Sequence, residues 1–167
     1  MLTGLPGCGK TTVIIKLAEL LKEKKIAGFY TQEMRSKGVR SGFLIKTFGG
    51  AEGLLSSINI TSGPRVGKYR VNVQGFEAMV VPELSRQGRE VDLYLIDEIG
   101  KMECFSRAFM RAVSGILDGD LPMVATVAIK GGGFIAGVKE HSDVEIVELD
   151  LENRNGLPGK IVDGLGC

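Results

Sequence analysis

At 167 residues, 44% hydrophobic and 25% charged, the chain has the size and make-up of one folded domain, which excludes a wholly disordered segment, a coiled coil and a bundle of membrane spans. Its 21 Lys and Arg against 20 Asp and Glu leave a net charge of +1, without the basic excess or basic run of a nucleic-acid binder. Three scattered cysteines and a single histidine exclude a disulfide scaffold and a Cys/His zinc site and fit a reducing cytoplasm, while 24 glycines call for many tight turns or close approaches of backbone to a ligand.

No apolar run approaches the roughly 18 residues of a membrane span. No signal peptide fits ahead of a glycine-rich loop that starts at Gly4, and neither repeat nor linker divides residues 1–167, which read as one domain. Met1 to Thr3 predict a very short strand. A helix follows over 11–25, with Ile14, Leu17, Ala18 and Leu21 at helical spacing and Lys22, Lys24 and Lys25 in its last turn. Residues 27–34 and 40–48 predict two strands around Arg35-Ser36-Lys37-Gly38, and 53–60 with 66–73 a second pair across Thr61-Ser62-Gly63-Pro64. A helix over 75–88 presents Phe76, Met79, Val80 and Leu84, and Pro82 predicts a kink or a break in it. Leu93 to Ile96 form the unbroken apolar run of a buried parallel strand ending in Asp97 and Glu98. Then come a helix over 104–118, a buried strand over 122–129, a short helix from near Phe134, a strand over 144–150 and a short helix after Gly156. The alternation predicts an α/β fold: a mostly parallel sheet flanked by helices, with an antiparallel strand insert between the first helix and the Asp97-Glu98 strand.

The residues Gly4-Leu5-Pro6-Gly7-Cys8-Gly9-Lys10-Thr11 match G-x-x-x-x-G-K-[ST], directly before the best amphipathic helix in the chain. Glycines let the backbone curl until its N–H groups converge on an anion, and the helix that follows adds its free N-terminal donors and the positive end of its dipole. In this arrangement Lys10 meets the β- and γ-phosphates of a nucleoside triphosphate, Thr11 ligates Mg²⁺ and Thr12 reaches the α-phosphate. Cys8 reads as a filler of the loop.

A phosphate loop needs a second carboxylate to hold Mg²⁺, and Asp97 at the end of the apolar strand is the candidate. Glu98 is expected beside it toward the γ-phosphate, where a carboxylate can orient or deprotonate water. The Asp-Glu pair resembles the branch of phosphate-loop proteins that includes the RecA-like ATPases. In that branch an extra strand lies between the loop strand and the acid strand. Residues 122–129 are then that strand, and Thr126 a candidate γ-phosphate sensor.

Five segments taken together resemble one family. They are Thr3 to Thr12, Gly28-Phe29-Tyr30-Thr31-Gln32-Glu33, Thr61 to Tyr69, Ile96-Asp97-Glu98-Ile99-Gly100-Lys101-Met102-Glu103 and Glu152-Asn153-Arg154-Asn155. The family is that of the small P-loop nucleoside triphosphatases of the thermophile type, which includes the cancer-related nucleoside triphosphatase. The resemblance implies a RecA-like α/β fold and Mg²⁺-dependent hydrolysis of nucleoside 5′-triphosphates, ATP and GTP among them, to diphosphate and phosphate. It also supports the roles of Lys10, Thr11, Asp97 and Glu98.

Other residues carry weaker signals. Arg65, in a Gly-Pro-Arg loop, is a candidate for stabilising charge at the γ-phosphate. Asn153 and Arg154 follow the last strand, where α/β sheets bind ligands; arginine stacks on bases and asparagine bonds their edges. Lys101 and Glu103 read as helix-start residues, and His141 as a surface residue. The alternative activity is that of a kinase passing the γ-phosphoryl group to a nucleotide or small molecule, with the 28–70 insert as a possible acceptor site. A GTP switch lacks its Asn/Thr-Lys-x-Asp segment. The expected partners are nucleoside triphosphates, with neither nucleic acid nor membrane, and a monomer is favoured.

Overall fold

The computed structural model describes residues 1–85 and 88–166; Arg86 and Gln87, within the expected helix 75–88, and Cys167 lie outside the described residues. In chain order the elements are β1 (Leu2–Thr3), α1 (Lys10–Leu20), β2 (Ile26–Ser36), β3 (Val39–Thr47), β4 (Glu52–Ser57), β5 (Arg65–Val66), β6 (Tyr69–Val71) and α2 (Val73–Leu84). They continue with β7 (Leu93–Ile99), a 3-10 turn (Glu103–Phe105), α3 (Arg107–Leu117), β8 (Met123–Val127), α4 (Phe134–Lys139), β9 (Val147–Glu148) and α5 (Leu157–Gly164).

The described strands form one sheet in the order β5-β6-β4-β3-β2-β7-β8-β1-β9. From β2 to β9 every pairing is parallel. From β2 outward to β5 every pairing is antiparallel, and this half is the expected insert. As the RecA-like reading requires, β8 lies between the acid strand β7 and the loop strand β1.

The period of two in the parallel strands sorts their side chains between two cores. Leu93 and Leu95 of β7 and Val124 of β8 face α1 and α5, against Val13, Ile14, Leu17 and Leu157. Tyr94, Ile96, Ala125 and Val127 face the other way, toward Phe76 and Val80 of α2 and Phe109 and Val113 of α3. Here Phe29, Phe76 and Phe109 meet edge to face in a closed triangle with centroids 5.3–6.0 Å apart. The result is a three-layer α/β/α arrangement that holds β1, β7 and β8 side by side, with their C-terminal ends on the same edge.

Several elements depart from the expected ones. Helix α1 stops at Leu20, before Lys22, Lys24 and Lys25; the Lys24 amide closes a turn on Leu21 and the Lys25 amide donates to Asp92 at 2.6 Å, which feeds the chain into β2. The single strand expected over 66–73 is a hairpin, because the chain turns at Gly67 and pairs Val66 with Tyr69. It ends at Asn72, whose side chain accepts from the Gly75 amide at 3.1 Å and starts α2 early. Pro82 does not split α2 in two: the helix runs from Val73 to Leu84 with the proline in its last turn, and the Ser85 amide still donates to the Val81 carbonyl. The helix expected over 104–118 is divided by Ser106, which is extended and caps α3 by accepting from the Phe109 amide at 2.9 Å. Only Val147–Glu148 of the strand expected over 144–150 pairs with the sheet.

Candidate active site

Between β1 and α1 the chain folds back over itself, and Gly4 and Gly9 show why glycine is needed there. A Cβ on Gly4 would lie 2.4 Å from the Leu149 carbonyl oxygen and 2.8 Å from Cys8 Sγ, so a hydrogen atom is all that fits. Gly9 precedes α1 in the left-handed region at φ 108°, and no side chain caps the helix. The first-turn amides of α1 therefore lack a side-chain acceptor, and the positive end of its dipole opens outward. Lys10 folds back into the curl, its Nζ donating to the carbonyls of Gly4 at 2.9 Å and Leu5 at 3.4 Å.

A cavity of about 1050 Å³ opens over this loop. Gly4, Leu5, Pro6, Gly7, Gly9, Lys10, Thr11 and Thr12 all line it, together with Tyr30 to Glu33 of β2, Arg40 and Phe43 of β3, Glu98 of β7 and Lys130 beyond β8. Cys8, by contrast, is buried, with its sulfur near Gly4, as a filler of the loop would be.

Asp97 is 2% exposed and is the meeting point of three elements. Its Oδ2 accepts from the hydroxyls of Thr11 at 2.7 Å and Thr31 at 3.1 Å, and from the Thr31 amide at 3.3 Å. Its Oδ1 accepts from the Thr126 hydroxyl at 3.0 Å. Thr126 is fully buried, so its hydroxyl supports Asp97 from β8 and does not line the cavity as a γ-phosphate sensor. Between Ile96 and Ile99 the β7–β8 register shifts, Ile96 pairing with Ala125 and Ile99 with Val127. Such a bulge re-aims side chains, and here Asp97 points into the threonine cluster while Glu98 faces the cavity. Burial raises the Glu98 pKa, nearby Asp97 acts the same way, and Lys10 opposes them.

The remaining candidates spread out. The Arg154 side chain lies over the loop, its Cδ 3.5 Å from where a Gly9 Cβ would be. Asn153 has both atoms of its amide engaged locally, Nδ2 donating to the Glu148 carbonyl at 2.8 Å and Oδ1 accepting from the Asp150 amide at 3.1 Å. Arg65 lines a separate cavity of about 530 Å³ with Lys101 and Cys104, away from the loop residues. His141 lies near the surface, 3.5 Å from Asp118.

Three contributors escaped the sequence reading. Thr31 falls in a segment already singled out, but only the pairing of Phe29 with Ile96 shows that it abuts Asp97. Arg40 lines the cavity from the insert, paired with Glu33 and 5.5 Å from the centroid of the Phe43 ring. Glu103 does start a helical turn, the 3-10 turn Glu103–Phe105, but it is only 5% exposed, and burial, together with Glu98 and Asp97, raises its pKa to about 8 against the opposing hydrogen bonds of the backbone at Glu103 and Gly100.

Comparison with known proteins matches residues 1–162 to the family model described as NTPase. Nucleoside-triphosphatase THEP1 of Thermotoga sp. (strain RQ2) is 46% identical over 165 residues, spanning 99% of this chain and 94% of that protein. The cancer-related nucleoside-triphosphatase homolog of Mus musculus is 40% identical, spanning 96% and 93%. Among solved structures, THEP1 from the hyperthermophile Aquifex aeolicus superposes with a TM-score of 0.89 at 38% identity, covering 98% of this chain and 96% of that one. The human cancer-related nucleoside triphosphatase superposes at 0.82 and 36%, covering 98% and 95%.

Proposed function

The chain belongs to this NTPase family, and on that premise we propose that it is a Mg²⁺-dependent hydrolase of nucleoside 5′-triphosphates, ATP and GTP among them, releasing diphosphate and phosphate. The observation that carries the reading is the bond from Thr11 to Asp97, which joins the start of the phosphate-loop helix to the acid strand at the edge of the cavity that Glu98 lines. In this reading the amides of the loop and Lys10 neutralise the β- and γ-phosphates, and Glu98 orients or deprotonates the attacking water. Arg154, lying over Gly9, stacks on the base, and Asn153 holds the loop that presents it. Arg65 keeps its proposed charge-stabilising role only if the β5–β6 hairpin moves, since it lines a different cavity. Arg40 is the arginine that faces the loop from the insert.

The donor set suits the metal. Thr11 and Asp97 offer adjacent hard oxygens, one neutral and one a carboxylate, and Mg²⁺ is commonly held by one or two such groups plus phosphate oxygens and water. When bound, the ion supplies charge that stabilises the leaving diphosphate oxygens.

The relatives are named as triphosphatases and lend no support to phosphoryl transfer to an acceptor. No described helix is long and apolar enough to cross a membrane. A cytoplasmic location, a monomeric state and independence of nucleic acid belong to the same proposal. The test is phosphate release from a panel of nucleoside triphosphates with and without Mg²⁺, together with Lys10→Ala. The expected result is Mg²⁺-dependent release of one phosphate per triphosphate without a phosphorylated acceptor, and loss of turnover in Lys10→Ala. A Lys10→Ala protein with wild-type release rejects the assignment.

A further inference from the structure

A third, smaller cavity of about 310 Å³ lies behind Glu98, lined by Glu98 and Glu103 together with Thr31, Lys101 and Lys130. Two carboxyl groups thus share one space. Glu103 Oε2 and Glu98 Oε1 both crowd the side of Gly100, 3.0 and 3.2 Å from the point a Cβ would occupy there. Glu103 is buried and forms no ion pair among the described residues, whereas Glu98 also opens onto the phosphate-loop cavity.

An acid withdrawn from water without an ion-pair partner holds its proton more tightly, and a protonated carboxyl is a hydrogen-bond donor. The charged or titratable groups around Glu103 are Glu98 and Asp97 of β7, Cys104 beside it, and Lys101 and Lys130 on the cavity wall. Asp97 already accepts from Thr11, Thr31 and Thr126, which leaves Glu98 as the acceptor open to Glu103, directly or through water in the shared cavity. The surroundings agree, since burial and the two neighbouring acids raise the Glu103 pKa to about 8.

We propose that Glu103 is a positioning residue for hydrolysis: as a neutral buried acid it acts through Glu98, holding that carboxylate turned toward the phosphate-loop cavity. The proposal rests on the reading of Glu98 as the group that orients the attacking water. Glu103 touches neither phosphate nor water in this scheme, and no bond is made or broken at it.

The experiment compares wild type, Glu103→Gln, Glu103→Leu, Glu98→Gln and the Glu98→Gln/Glu103→Leu double variant by phosphate release across pH 6–9. Glutamine keeps a neutral donor, so Glu103→Gln should hold kcat near pH 7 and lack the fall in kcat expected of wild type as pH rises through about 8. Leucine fills the space without a donor and should lower kcat about 10- to 100-fold with little change in KM, the usual cost of removing a partner that orients a reacting group. Because Glu103 acts through Glu98, the double variant should be no slower than Glu98→Gln alone. A Glu103→Leu protein as fast as wild type, or a Glu103→Gln protein with the wild-type alkaline fall, overturns the proposal while a slow Glu98→Gln leaves the reading of Glu98 standing. A fast Glu98→Gln overturns that reading and this proposal with it.

Discussion

Asp97 and Glu98 are neighbours in the chain with opposite surroundings, and substitution should separate them. Glu98→Gln keeps the size and most of the hydrogen bonding but loses the base, so kcat should fall by about 10²- to 10⁴-fold while Mg²⁺-triphosphate still binds. Asp97→Asn should lose Mg²⁺-dependent affinity as well as rate, because its amide cannot replace a carboxylate that accepts from three threonine hydroxyls. Equilibrium binding of a triphosphate, alongside turnover, reads the contrast. Arg154→Ala should raise KM for every base with little change in kcat, the kinetic form of uniform binding lost; a fall in kcat at constant KM would place Arg154 in the chemistry instead. Glu103 makes stability depend on pH. Its folded pKa of about 8 lies above the ordinary 4.5, so its contribution is full below about 4.5 and is lost as pH rises through about 8. Relative to wild type, Glu103→Gln should therefore gain stability from pH 5 to pH 8, read as the difference between their urea midpoints at each pH. A constant difference would mean that Glu103 is already ionised in the fold.

At the scale of elements, short polar contacts decide where helices begin. Ser106 caps α3 through the Phe109 amide and donates its own hydroxyl to Glu77 of α2 at 2.6 Å, tying two helices together at the end of the Glu103 turn. Ser106→Ala should cost about 1 kcal/mol or somewhat more, since a cap and a side-chain bond go together. Urea unfolding measures it, and a loss close to zero would show that water replaces both bonds. Helix α1 is the opposite case. Gly9 leaves its start uncapped, and Lys10, Thr11 and Thr12 keep their amides for a ligand in place of a local side chain. Hydrophobic periodicity predicted both helices, but it says nothing of an end set by one hydroxyl or by a turn, which is why α1 stops before its lysines and α3 starts after Ser106.

Over the whole molecule, the sheet serves as the plate on which the site is mounted. The Phe29, Phe76 and Phe109 triangle locks α2 and α3 to β2 beneath the acid strand. Phe109→Ala should cost about 3–5 kcal/mol by opening a cavity in that layer, with turnover retained below the lowered melting temperature because Phe109 belongs to the core on the face of the sheet opposite α1. Loss of activity well below that melting temperature would show that the layer also tunes the site. The phosphate loop, its helix and the apolar strand ending in Asp97-Glu98 were legible in the chain alone, because each depends on local chemistry: glycine where backbone must curl, a 3.6-residue period, an unbroken apolar run. The parallel α/β class followed from their alternation. What only the tertiary structure decided is which distant groups meet. Thr31 and Thr126 bond Asp97 through the registers of β2 and β8 against β7, Arg40 enters the cavity from the insert while Arg65 does not, and Glu103 lies buried behind Glu98. The reason is physical. A residue's local preference is carried by its immediate neighbours, but register, burial and the charges that surround a side chain are set by packing between segments far apart in sequence, and no local pattern records them.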